Sequence, residues 1–388
     1  MLISSLVGAD FPEFSEAARA AAQEFHQRLA KPPGSLGRLE EIAAYYVGAH
    51  GLMPPPAPER PTLVVFAADH GSTAEGVSAY PSAVTAAVVI NVMAGGSAIN
   101  ALCRSNGIHL RLVDVGLSGN LSRAPREAAV PLECRSVGHG TQNFLQRAAM
   151  TPEQVHAALN VGQGVAQEAI TAGSKLLAVG EIGIGNTACA SALIAGVTGI
   201  PARSVVGPGA GLDAEGVERK IHVIEKALKR FRAGHPESAV RPADAAEAEV
   251  LQGARNAKVP RVNALTLLTE LGGFEVAAMV GFILEAARRR TPVVLDGVVT
   301  GAAALVAAEL VPNVRRFLLA SHGSTEPGAR VVNDRLALNP LLEFSMRLGE
   351  GSGAALGISL LRSAVDVMLQ MSTLDAAIER AGLGPRGE

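Results

Sequence analysis

The order of apolar and polar positions along the chain predicts strands and helices in alternation. Short apolar runs lie at Leu63–Ala67, Leu110–Val115, Leu176–Val179, Ser204–Val206, Pro292–Leu295 and Phe317–Ala320. They are short and mostly apolar without alternation, the pattern of strands buried on both faces. Stretches with helical spacing separate most of them: Val84–Cys103, Pro152–Thr171, Ala188–Val197, Glu215–Arg232 and Phe274–Arg289. Strand, crossover helix, strand is the signature of a parallel sheet with helices on both faces. Helical patterns also occupy both ends, at Pro12–Leu29, Leu36–Val47 and Pro340–Ala381. The Pro-rich stretch Met53–Pro61 is stiff by composition and predicts a domain boundary. The expected division is a small helical domain from 1–55 plus 338–388, and an α/β domain over 56–337.

The predicted strands end in a common way. Phe66-Ala-Ala-Asp-His-Gly71, Val113-Asp-Val-Gly116, Val179-Gly-Glu-Ile-Gly-Ile-Gly-Asn186, Val206-Gly-Pro-Gly-Ala-Gly211, Leu295-Asp-Gly297 and Ala320-Ser-His-Gly323 mostly pair Gly with a polar residue. Ligands of open α/β sheets bind at the carboxyl ends of the strands. The 42 Gly of the 388 residues therefore point to backbone that must approach a ligand closely. With aromatics at only 3% and no Trp, the core must be built from Ala, Val, Leu and Ile.

A formal charge of −2 removes the electrostatic footprint of a nucleic-acid binder. Cys103, Cys134 and Cys189 are far apart and show no CxxC spacing, which fits a reducing cytoplasm. Asp10, Glu13 and Glu16 with no basic n-region predict no signal peptide. The uncharged stretch Gly76–Cys103 contains Pro81, Asn91, Gly95-Gly96 and Asn100, so it reads as a buried helix and not as a membrane span.

Five features carry candidate chemistry. Gly349-Glu350-Gly351-Ser352-Gly353 sets one carboxylate inside a Gly run that opens a helix; Glu350 is either a base with a raised pKa or a helix cap. Gly180–Thr187 lacks the spacing of a dinucleotide fingerprint and the Lys of a Walker loop. It offers amides for a phosphate and Glu181 for a ribose hydroxyl, or it is a tight strand-to-helix turn. Gly207-Pro-Gly209-Ala-Gly211 precedes a helix holding Lys220, which serves either a phosphate cradle or a solvated helix face. Val293–Gly301 has Asp296 followed by Gly297, where loops that bind phosphoribosyl pyrophosphate normally carry two adjacent acids. His70, His139 and His322 lack HxxxH, HxH or GxSxG spacing and read as buried or supporting residues, with no metal site expected.

Taken together, these residues resemble one family, the nicotinate-nucleotide–dimethylbenzimidazole phosphoribosyltransferases. The matching segments are Lys31-Pro-Pro-Gly-Ser-Leu-Gly-Arg-Leu-Glu40, Ala67-Ala-Asp-His-Gly71, Val77-Ser-Ala-Tyr-Pro81, Gly180–Thr187, Gly272-Gly-Phe-Glu275, Leu295-Asp-Gly297, Ser321–Arg330 and Met346–Ala354. They run in order over nearly the whole chain.

The resemblance implies a Rossmann-like parallel six-stranded sheet flanked by helices, a small helical domain from both termini, and a cytoplasmic homodimer. It implies transfer of the phosphoribosyl group of nicotinate mononucleotide to 5,6-dimethylbenzimidazole, giving α-ribazole 5′-phosphate and nicotinate for cobalamin biosynthesis. Neither a cofactor nor a metal is expected. It assigns Glu350 as base and Glu181 beside the ribose. The donor would meet Gly183, Asn186, Gly207, Gly209, Lys220, Asp296, Gly297 and Ser324. The acceptor would meet Tyr80, Pro81, Val88, Met346 and Leu348. Family members commonly carry a Gln near the start of the helix after Pro81. Ala86-Ala87-Val88 stands there in this chain, which makes the acceptor pocket more apolar and leaves other benzimidazoles, adenine or phenolic bases as alternatives. Two rival readings are a magnesium-dependent enzyme using phosphoribosyl pyrophosphate and a non-catalytic nucleotide-binding protein.

Overall fold

The computed structural model describes residues 10–236 and 263–383. Six parallel strands form one sheet: β1 Thr62–Ala68, β2 His109–Gly116, β3 Leu132–Cys134, β4 Leu177–Ile182, β5 Val293–Leu295 and β6 Leu318–Ala320, in the order β3-β2-β1-β4-β5-β6. This is the Rossmann-like arrangement that the resemblance implied. Chain direction across the sheet reverses between β1 and β4, and the crevice at the carboxyl ends of such a pair is where open α/β sheets bind ligands.

The central strands are apolar because both faces are covered. Val64, Phe66 and Ala68 of β1 enter a core shared with the Pro152–Thr171, Asn186–Thr198, Phe274–Arg288 and Val298–Leu310 helices. Leu63, Val65 and Ala67 point the other way, onto the helices Arg38–His50, Ala83–Met93, Ala98–Ser105 and Ser352–Gln370. This period-two division places helices from both ends of the chain on one face of the sheet.

The Lys31–Glu40 motif is a clamp between those ends. Glu40 Oε1 accepts from Lys31 Nζ at 2.7 Å and from the Leu36 amide at 3.1 Å. Arg38 donates to the carbonyls of Pro340 and Asn339.

Four expectations change. Ser204–Val206 is not a strand; Ser204 and Val205 close a one-turn helix, Ala202–Val205, before the chain turns out at Gly207. Three residues are too few for the apolar pattern to separate strand from helix. The sixth strand is instead Leu132–Cys134, an edge strand whose partial exposure gives it no apolar run. The predicted Val84–Cys103 helix is two helices, because Gly95-Gly96 ends the first and a Ser97–Asn100 capping box starts the second. The segment 340–351 is irregular, and helix resumes only at Ser352.

Candidate active site

A cavity of about 680 Å³ opens at the carboxyl ends of β4, β5 and β6. Its floor is made by strand-to-helix turns. Gly185, with φ 93°, starts the Asn186–Thr198 helix, and Gly297 starts the Val298–Leu310 helix. Neither start has a side-chain cap, and both line the cavity. Two helix N-termini with free amides in one cavity make an anion site, since the amide dipoles sum to partial positive charge there. Gly183, Asn186, Thr187, Gly209, Ala210 and Ser324 line the same cavity.

A third helix N-terminus, at Ser352, is already satisfied. Asp296 accepts from the amides of Gly351 (3.1 Å), Gly353 (2.7 Å) and Ala354 (3.2 Å). Burial raises the Asp296 carboxyl to about 6, and these amides hold it from going higher.

Glu350 lies beside this capped turn, between Gly349 (φ 84°) and Gly351 (φ 86°), and is itself left-handed at φ 61°. That conformation is costly for a residue with a Cβ and marks a backbone held by its surroundings. The surroundings are visible at β4: a Cβ on Gly180 would lie 2.4 Å from the Gly351 nitrogen. The Glu350 loop therefore rests directly on the strand that carries Glu181. Burial raises the Glu350 carboxyl above its ordinary range, the Asp296 charge adds to this, and its Oε2 is buried with no hydrogen-bond partner. Such a carboxyl is a better base than an exposed one.

Glu181 is also in the cavity. Burial raises it strongly, Asp296, Glu275 and Glu350 push the same way, and a hydrogen bond from Asn186 Nδ2 opposes them.

The remaining wall is apolar: Val77, Tyr80, Val84, Val88 and Leu348. Tyr80 and Leu348 are 51% and 59% exposed, so they stand at the mouth.

Of the residues singled out from sequence, Glu350, Glu181, Gly183, Asn186, Gly209, Gly297, Ser324, Tyr80, Val88 and Leu348 come together around this cavity. Five stand outside its lining. Pro81 is exposed and its carbonyl starts the Ala83–Met93 helix by accepting from Val84. Met346 gives its carbonyl to the Thr325 amide. Asp296 is the helix cap described above. Lys220 is fully buried behind the Gly207–Gly209 turn, with Nζ donating to Thr187 Oγ1 (2.8 Å) and to the Gly207 carbonyl (3.1 Å). Gly207 itself packs on Glu326, whose Oε2 would lie 2.3 Å from a Cβ there.

Two cavity residues escaped the sequence reading. Glu326 Oε1 accepts from the Gly209 amide at 2.8 Å, and Arg347 Nη1 donates to the Gly209 carbonyl at 3.1 Å. Arg347 thus bridges the Gly209 turn to the Glu350 segment. Its only signal was its position inside the Met346–Ala354 motif.

The histidines differ in role. His70 is buried with Nε2 2.7 Å from Glu275 Oε1; burial alone would lower its pKa, but the Glu275 carboxylate overrides this and raises it. His322 lines the cavity, is lowered by burial, and has Nδ1 3.0 Å from Ser321 Oγ. His139 Nδ1 lies 3.4 Å from the Leu117 carbonyl.

The chain is similar to known proteins over most of its length. A family model described as a phosphoribosyltransferase matches residues 11–254 and 238–378. The nicotinate-nucleotide–dimethylbenzimidazole phosphoribosyltransferase of Roseiflexus sp. (strain RS-1) is 42% identical over 362 residues, covering 93% of this chain and 94% of its own. That of Chromobacterium violaceum is 42% identical over 360 residues, covering 93% and 95%. The crystal structure of CobT from Thermus thermophilus superposes with a TM-score of 0.80 at 38% identity, covering 96% of this chain and all of that one. The chain belongs to the nicotinate-nucleotide–dimethylbenzimidazole phosphoribosyltransferase family.

Proposed function

We propose that this chain transfers the phosphoribosyl group of nicotinate mononucleotide to 5,6-dimethylbenzimidazole, releasing α-ribazole 5′-phosphate and nicotinate, with Glu350 as the general base. The observation that carries this is what one cavity brings together. It gathers two uncapped helix N-termini, the apolar Val77, Tyr80, Val84, Val88 and Leu348, and Glu350.

The donor phosphate sits against the Gly183 and Gly185 amides, those of Ile184 and Asn186 being taken by Thr85 Oγ1 and the Gly183 carbonyl, and against the Gly297 turn and Ser324, where partial positive charge is fixed in place. Glu181, anchored by Asn186, receives a ribose hydroxyl. The flat acceptor lies between Val84, Val88, Tyr80 and Leu348. One ring nitrogen attacks the anomeric carbon as the other gives its proton to Glu350. The bond to nicotinate breaks on the opposite face, and nicotinate leaves with the bonding electron pair. Displacement inverts the anomeric centre and gives the α-linkage. A base in hydrogen-bond reach contributes roughly 10²–10⁴-fold, and holding both reactants in line supplies much of the rest.

The apolar wall favours a benzimidazole over adenine, whose ring nitrogens would be left unpaired there. Asp296 has its carboxylate oxygens engaged by three backbone amides, which counts against a magnesium–pyrophosphate donor. The reading extends to a cytoplasmic homodimer. The exposed Tyr80, Phe344 and Leu348 support a partner surface, and the free Cys103, Cys134 and Cys189 support a reducing compartment.

The test is incubation with nicotinate mononucleotide and a panel of benzimidazoles, adenine and phenols in excess chelator, with identification of the riboside phosphates. Release of nicotinate with α-ribazole 5′-phosphate is expected. No nicotinate release with any base, or a strict need for magnesium and phosphoribosyl pyrophosphate, would overturn the reading.

A further inference from the structure

A second cavity, of about 490 Å³, lies at the outer edge of the sheet and, among the described residues, shares no lining residue with the first. Its walls come from β6, from the Arg38–His50 helix, from the start of the Glu16–Arg28 helix and from the segment 336–341. Among the described residues, four guanidiniums line it, from Arg19, Arg38, Arg315 and Arg316, and Glu41 is the only lining carboxylate.

The pairing of these arginines is incomplete. Glu16 serves both Arg19 and Arg316. Arg38 is spent on the neutral carbonyls of Asn339 and Pro340. Arg315 is exposed and, among the described residues, its guanidinium has no ion-pair or hydrogen-bond partner. A purely structural cluster would match guanidiniums to carboxylates; this one leaves positive charge in excess.

Two polar atoms of the lining are buried without partners, Arg19 Nε and Tyr45 Oη. A buried donor left unpaired is destabilising; both atoms are enclosed, so a ligand in the cavity meets them when the Arg19 and Tyr45 side chains turn toward it. Burial raises the Tyr45 phenol well above its ordinary range, against the opposing pull of Arg316, so it is a neutral hydroxyl donor. Its ring is fixed at 5.9 Å from Phe14, over which Arg316 sits at 4.4 Å. Ile42, Leu318, Leu338 and Leu341 supply the apolar part of the wall.

We propose that this cavity is a second ligand site, taking a small anion with a carboxylate or phosphate-monoester head and an apolar body. The head is the shared chemistry: guanidinium forks and a phenol donate to its oxygens, and the volume suits one ring with its substituent.

Titration of the full chain with benzoate and with phenyl phosphate tests this and separates the two heads. Saturable binding of at least one is expected, weakened roughly tenfold, about 1.4 kcal/mol, by Arg315→Glu and by Tyr45→Phe. Saturating nicotinate mononucleotide should leave that binding unchanged, which distinguishes it from occupancy of the first cavity. Arg315 is exposed, and Tyr45→Phe keeps the ring, so melting temperatures report that both variants fold. Binding that both variants retain at full strength overturns the proposal. So does the absence of saturable binding of either probe up to roughly 10 mM, the range of contacts too weak for a built site.

Discussion

Asp296 Oδ1 accepts the Gly353 amide at 2.7 Å, tying the end of β5 to the helix that follows Glu350. Its Oδ2 takes the Gly351 amide, so one buried carboxylate caps the helix and fixes the turn that presents Glu350. Asp296→Asn puts an NH₂ donor where amide donors converge. We expect a loss of about 1–3 kcal/mol in stability, the cost of a buried unmade hydrogen bond. Turnover should fall as Glu350 loses its position, with the donor KM changed less. Melting curves and steady-state kinetics measure both; an unchanged kcat would mean that β4 alone holds the loop.

The same residue sets a pH dependence. Burial raises Asp296 from an ordinary 3.8 to about 6 in the folded protein. Between these values the folded state binds the proton more tightly than the unfolded one. Stability from this group is therefore greatest below about 4 and is lost as pH rises through about 6. Asp69, Glu40 and Glu285 are held below their ordinary range and act oppositely, losing stability as pH falls. The difference between wild type and Asp296→Asn isolates the first effect. That difference should move against the wild type, by on the order of 2–3 kcal/mol, from pH 4 to pH 7 in denaturant titrations. A constant difference across that range would show that Asp296 is ionised throughout.

Glu350 separates chemistry from conformation. Glu350→Gln keeps shape and left-handed backbone but cannot take a proton, so turnover should drop roughly 10²–10⁴-fold with the fold and donor binding intact. Glu350→Gly removes the same base and relieves the strain of φ 61°, so it should be just as inactive yet more stable by about 1 kcal/mol. Full turnover in the Gln variant at saturating substrates would remove Glu350 from the role of base. A Gly variant less stable than wild type would show that the Glu350 side chain holds the loop.

The parts of this molecule that could be read from its sequence are those whose physics is local. β1 and β4 carry apolar runs, Leu63–Ala68 and Leu177–Val179, because both faces are covered, and the pattern states this directly. The loop around Glu350 is legible because three left-handed residues in a row demand Gly at 349 and 351. β3 was not legible: an edge strand of three residues, Leu132-Glu133-Cys134, carries no periodicity. Nor was the full burial of Lys220, since helical spacing gives a residue's face and not what packs on it. Glu326 and Arg347 meet at Gly209 from segments far apart in the chain, and no local spacing encodes that meeting.

Lys220 leads to the last prediction. Burial lowers it from 10.5 to about 8, with Glu326 opposing, and it holds the Gly207–Gly209 turn from behind through Thr187 and the Gly207 carbonyl. Below about 8 it is a cation beneath the turn that faces the donor; above, it becomes a neutral amine and the turn loses the charge that strengthens both hydrogen bonds. The donor KM should therefore rise as pH passes 8, while kcat at saturating donor changes less. Lys220→Met should raise the donor KM roughly tenfold at pH 7, the scale of one charge-assisted hydrogen bond, and should abolish the rise above pH 8. Kinetics from about pH 7 to about pH 9.5 on both proteins decide it, a window that brackets the Lys220 titration. A wild-type KM that stays flat over that range, or a Met variant that still shows the rise, assigns the effect to another group.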